Sequence, residues 1–155
     1  MTQVKLAEAI LERADAQKRL EQLQERLIRN AYVQEGDRPH ENPADLLQEI
    51  DQVAEKLEAM IKRINQTNAK EMLAPYGTIS DALVHRDAIM RKRSILESLA
   101  REAAITNTRY SQSEIKMVAT VNIKELQASI DQLSKQFREV DTAIQQKNWT
   151  ADVVS

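Results

Sequence analysis

The densest run of chemically competent side chains is Arg109-Tyr110-Ser111-Gln112-Ser113-Glu114-Ile115-Lys116. A guanidinium, a phenol, hydroxyls, a carboxylate and an ammonium in one short stretch can surround a phosphate or a carboxylate. The candidate ligand-binding residues are therefore Arg109, Tyr110, Ser113, Glu114 and Lys116. A local account competes with this one. Arg109 and Lys116 would satisfy helix C-terminal carbonyls, the serines would shape a turn, and Glu114 would pair with a neighbour. Loops carry binding function more often than the elements they join, which keeps the segment as the candidate site. A fold-back of the preceding helix would bring it beside Gln34, Glu35 and His40.

Other reactive groups are sparse. The two histidines, His40 and His85, cannot build a metal cage alone, and Asp81 one turn before His85 supplies only a second ligand where three are needed. No metal, cofactor or catalytic residue is predicted. The chain has no cysteine, which removes thiol chemistry. With only Gly36 and Gly77, neither a nucleophile elbow nor a phosphate-cradling glycine loop can be assembled. Arg91-Lys92-Arg93, with Arg86 and Arg101 nearby, looks basic, yet surrounding acids neutralise it and no stacking aromatic accompanies it. A solvated helix face is the expectation there, and nucleic acid is not a predicted partner. Trp149 is expected to anchor a core or an interface.

These groups need a scaffold, and composition narrows it. The 155 residues carry 22 Lys and Arg against 24 Asp and Glu, a formal net charge of −2. A length and balance of this kind suit one domain with a modest core, and they exclude a polybasic binder and an acidic tail alike. Scarce glycine, proline and aromatic residues argue against a β-sandwich or barrel. No run approaches the roughly 18 apolar residues that span a bilayer. The opening Thr2-Gln3-Val4-Lys5-Leu6 lacks an apolar signal core, so a cytoplasmic setting is expected.

Periodicity predicts four helices, at about 3–33, 43–71, 80–106 and 122–147, within a single domain 1–155. The first carries Leu6, Ala9, Arg13, Ala16, Leu20, Leu23 and Leu27 at coiled-coil-like spacing, and Gly36-Asp37-Arg38-Pro39 ends it. The second opens on Asn42 as N-cap with Pro43 behind it, and its stripe is Leu46, Ile50, Val53, Leu57, Met60, Ile64 and Thr67. Ser80 is expected to cap the third, whose stripe is less regular. Asn122, with Glu125 three residues on, caps the fourth, where Ile123, Leu126, Ile130, Leu133, Phe137, Val140 and Ile144 repeat without interruption. Between the last two helices, Ile115–Val121 alternates in β-branched fashion. It predicts a short β element near 115–121 that pairs with residues around Tyr76–Ile79.

The fold class is thus mainly α, built of long antiparallel helical hairpins. Toward the open end of the first hairpin the seam turns polar at Arg13, Thr67, Asn68 and Glu71. Helices of 25–30 residues run about 40 Å and leave long apolar seams to cover, which predicts a homo-oligomer.

Lys5-Leu6-Ala7-Glu8-Ala9, Val33-Gln34-Glu35-Gly36, Ile64-Asn65-Gln66-Thr67-Asn68, Arg109-Tyr110-Ser111-Gln112-Ser113-Glu114-Ile115-Lys116 and Asn148-Trp149-Thr150 together follow a familiar order. On these motifs the chain resembles a family of small bacterial helical proteins of unknown function that carry the label septicolysin. The label implies a cytolysin but assigns no residues to that activity. Charge on every helical turn and a strand candidate too short for a membrane barrel argue against it. The residues point instead to a self-associating, non-catalytic interaction protein, with a small-anion-binding protein or enzyme at the 109–116 loop as the alternative.

Overall fold

The computed structural model describes residues 3–106 and 116–155 of the chain. Within them run four helices, α1 (Leu6–Arg29), α2 (Pro43–Lys70), α3 (Ile79–Thr106) and α4 (Ile123–Thr150). The fold is mainly helical, as the periodicity requires. The chain divides into two compact units, Met1–Glu71 with Lys147–Ser155, and Met72–Gln146.

In the first unit α1 and α2 pack as an antiparallel pair. Arg26 forks onto Glu41 and Arg19 reaches Glu49, one tie near the turn and another further along. Leu6, Ala9 and Leu23 of α1 and Leu46, Ile64 and Thr67 of α2 are the residues this unit buries along the pair. The Asn42 side chain accepts from the Ala44 amide at 3.0 Å with Pro43 just behind it, as the sequence predicts. Helix α1 is shorter than the expected 3–33 at both ends. Its start is fixed by the chain terminus: the Leu6 amide donates to the Ala151 carbonyl at 2.9 Å, and the Val153 amide donates to the Val4 carbonyl at 2.9 Å. Val4 is thereby extended, not helical. At the other end Asn30 closes the helix, its Nδ2 donating to the Arg26 carbonyl at 2.8 Å while its Oδ1 accepts from the Glu41 amide at 3.0 Å.

The polar end of this hairpin is a dock for the last residues of the chain. Thr67 is fully buried; its hydroxyl donates to the Arg63 carbonyl at 2.8 Å and accepts from the Val154 amide at 3.0 Å. Arg63 Nε returns a bond to the Val154 carbonyl at 3.0 Å, and Lys5 pairs with Asp152 at 2.8 Å. Lys147 lies 3.5 Å from Glu71, and Ala151 and Val153 are buried beside them. Polar seam residues thus satisfy an extended backbone that has no helix of its own to bond with.

The second unit joins α3 to the Ile123–Gln146 part of α4. Ala82, Ile89, Leu133, Val140 and Ile144 form its core, with Leu73, Tyr76, Leu83, Leu96 and Phe137 packed around. The uninterrupted α4 stripe is therefore used within the chain. The Asn122 carboxamide accepts from the Glu125 amide at 3.1 Å, so the predicted α4 cap holds. The α3 cap is Thr78, not Ser80. Thr78 Oγ1 accepts from the Asp81 amide at 3.1 Å and Asp81 Oδ2 accepts from the Thr78 amide at 2.9 Å, a reciprocal capping box.

The short β element is corrected. Lys116–Ala119 have no regular structure, Thr120 and Val121 form a bend, and Ile115 lies outside the described residues. Alternation supplies a face but no partner, and a lone strand leaves its backbone groups unpaired. The expected partner is already engaged: Thr78 bridges to Met72 inside its own loop, and Ile79 begins α3.

Candidate self-association surface

Of the residues predicted to bind a ligand, Arg109, Tyr110, Ser113 and Glu114 lie outside the described residues, as does Ser111. Lys116 is described and exposed, beside exposed Met117 and Val118. Among the described residues no three His, Asp or Glu side chains are placed to hold a metal ion. His85 stacks its ring on Tyr76, with centroids 5.6 Å apart and planes tilted by 31°. The basic run on α3 is not one uniform solvated face. Arg93 lies over the Phe137 ring at 5.5 Å, 3.4 Å from Ser134 and 3.6 Å from Glu97, which leaves Arg91 and Lys92 exposed. Arg86 is likewise committed to Asp141 at 2.7 Å. Trp149, expected as an anchor, is 57% exposed.

What the described surface offers most plainly is apolar. Helix α2 carries two overlapping stripes at three- and four-residue spacing. The first, Leu46, Ile50, Val53, Leu57, Met60 and Ile64, was legible as the seam toward α1. The second, Leu47, Ile50, Ala54, Leu57, Ile61 and Ile64, shares every other position with it and is rotated by about 50° to one side. Helix α1 covers the shared positions but leaves the far edge of the second stripe open. Leu47 is half exposed, at 50%, Ala54 is exposed, and Ile61 is half-buried.

Between this second stripe and α1 runs a groove of about 360 Å³ lined by Leu20, Ala54, Leu57, Glu58, Ile61 and Lys62. Its two polar residues pair with each other, Lys62 Nζ lying 3.4 Å from Glu58. One turn apart on a helix surface, such a pair contributes little to stability, but it leaves no unpaired charge beside the apolar floor. The small Ala54 side chain at mid-stripe lets another helix approach closely, the geometry that ridge-and-groove packing favours. The missed signal was in the sequence: a helix with apolar residues across more than a third of its circumference has more face than one neighbour can cover.

Helix α3 has a comparable second face in Val84, Ala88, Ile95 and Leu99, with Val84 69% and Ile95 67% exposed. Arg91 and Lys92 interrupt that face midway. The α2 stripe has no such break from Leu47 to Ile64. No described helix is long and apolar enough to cross a membrane.

Comparison with known proteins places the chain without assigning it a role. A model of a family of unknown function, DUF6847, matches residues 13–153, and the chain belongs to that family. It also matches the crystal structure of a functionally unknown conserved protein from Corynebacterium diphtheriae, at 37% identity and a TM-score of 0.93. That match covers 99% of this chain and 100% of the other. No curated protein matches. Neither description carries the septicolysin label, so the resemblance drawn from the motifs stands only in its coarser part: a helical protein of an unknown-function family.

Proposed function

We propose that this member of DUF6847 is a self-associating interaction protein, whose two copies pair through the second apolar stripe of α2. The observation that carries the proposal is the run Leu47, Ile50, Ala54, Leu57 and Ile61, which keeps coiled-coil spacing beside α1, with Leu47 and Ala54 exposed and Ile50, Leu57 and Ile61 half-buried. A regular helical seam of this kind is complementary to another helix of the same pattern. An isologous pair places the same stripe on both sides of a twofold axis, so one surface supplies both halves of the contact. The mechanism is burial: each large aliphatic side chain taken fully from water contributes about 1.5–3 kcal/mol, and the contact needs no charged partner at its centre.

Sedimentation equilibrium tests the pairing. The wild-type chain is expected at a multiple of its 17.7 kDa monomer mass at micromolar concentration. The double variant Leu47→Glu/Ile61→Glu is expected at the monomer mass with its helical circular dichroism retained. A wild-type monomer at about 100 µM, or a variant that assembles as well as wild type, overturns the proposal.

A further inference from the structure

The turn between α1 and α2 holds a second feature, which does not depend on the pairing proposed above. A polar pocket of about 440 Å³ opens there, within the range of small-ligand sites. Arg29, Arg38 and His40 line it together with the Tyr32 phenol and one carboxylate, Asp37. Arg29 and Arg38 make no ion pair with any described residue, whereas the nearby Arg26 is already taken by Glu41. The pocket therefore holds two guanidinium groups that no ion pair occupies against one lining carboxylate, although Arg29 also acts at longer range on Glu41, in a chain whose overall charge is −2.

The loop that presents these groups is tied down. Asn30, 8% exposed, bonds back to the Arg26 carbonyl and across to the Glu41 amide, which fixes both ends of the loop. Inside it the Asp37 amide donates to the Gln34 carbonyl at 2.9 Å, and Gly36 supplies the positive φ of 92° that this turn demands. A fixed backbone limits the ordering that a ligand must impose to the side chains themselves.

We propose that this pocket binds a phosphate monoester. Two guanidinium forks and the Tyr32 and His40 donors together exceed the roughly four acceptor sites of a carboxylate, whereas a phosphate monoester presents three terminal oxygens and a second negative charge. Tyr32 and His40, both exposed beside the pocket, can add donors. Val33 and Pro39 complete the lining with apolar surface, on which the organic substituent of the monoester rests.

The test is isothermal titration calorimetry of the full chain with phenyl phosphate and with inorganic phosphate. Each is titrated at an ionic strength held constant with sodium chloride. Saturable binding of phenyl phosphate at one per chain is expected, with inorganic phosphate weaker because it has no substituent. Arg29→Ala and Arg38→Ala are each expected to weaken phenyl phosphate at least about tenfold, the loss typical of a charge-assisted hydrogen bond. Arg29→Lys and Arg38→Lys, which keep the charge but lose the fork, fall between. Lys18→Ala, on the exposed face of α1, leaves the isotherm unchanged. Absence of saturable binding by wild type overturns the proposal, as do arginine variants that bind like wild type while retaining wild-type circular dichroism. A heat signal that sodium chloride alone reproduces also overturns it.

Discussion

Thr67→Val tests how the C-terminal segment is held. The substitution keeps the shape of a fully buried side chain and removes one oxygen, which accepts from the Val154 amide and donates to the Arg63 carbonyl. The Arg63 carbonyl keeps its place in the α2 ladder, so the larger loss falls on Val154. An amide left without an acceptor costs about 1–3 kcal/mol when buried. Val154 is half-buried, and water can partly replace the lost acceptor, so the expected cost is about 1–2 kcal/mol. For a chain of this length that lowers Tm by roughly 3–6 °C. The assay is urea unfolding followed by circular dichroism, made in the full chain and again in one shortened to end at Thr150. Without Val154 the hydroxyl has no amide to serve, and Thr67→Val should then cost under about 0.5 kcal/mol. A coupling near 1 kcal/mol between the two changes is the signature of a direct contact. An equal cost in both backgrounds would refute the reasoning and assign the effect to α2 alone.

Two further outcomes follow from named contacts. Arg26 holds the Glu41 carboxyl below its ordinary value of 4.5 through their hydrogen bond, aided by Arg29. A depressed acid stabilises the fold fully above that value and loses the contribution as pH falls through and beneath it. The stability difference between wild type and Glu41→Gln should therefore be flat from neutral pH down to about 5 and shrink below it, as denaturation at stepped pH will record. Gly77→Ala should destabilise by about 1–3 kcal/mol, because φ is 98° there and a Cβ would meet Asp81 Oδ2 of the α3 capping box at 2.4 Å; thermal unfolding checks this.

The helices were legible because local chemistry marks them. Asn42-Pro43 and Asn122 announce their caps, and Leu23, Ile64, Val140 and Ile144 recur at spacings that only helices bring to one side. What failed had competing local solutions. Thr78 and Ser80 both offer a hydroxyl before α3, but only Thr78 stands three residues from Asp81, the distance a reciprocal box requires. Ile115–Val121 has strand-like alternation, yet pairing depends on a partner edge, and Thr78 had one already.

The polar end of the first hairpin is legible in the sequence, and its purpose is not. Thr67 and Glu71 serve residues about 80 positions later in the chain, a relation that periodicity along one helix cannot carry. The 109–116 cluster drew attention by residue type alone, and all of it but Lys116 lies outside the described residues. The apolar surface on α2 needed a different question, namely how much stripe remains after one neighbour is served. Leu47 and Ile61 answer it only once α1 is seen to pass on the other side.

Because the chain lacks cysteine, a single introduced thiol reports on pairing without background. Ala54→Cys places that thiol at the middle of the second α2 stripe, and Gln52→Cys places it on the opposite, exposed side of the same helix. Under mild oxidation at micromolar concentration, the first should convert to a disulfide-linked dimer and the second should stay without a covalent link. Equal linkage at both positions, or linkage only at 52, would contradict the pairing of two chains through α2.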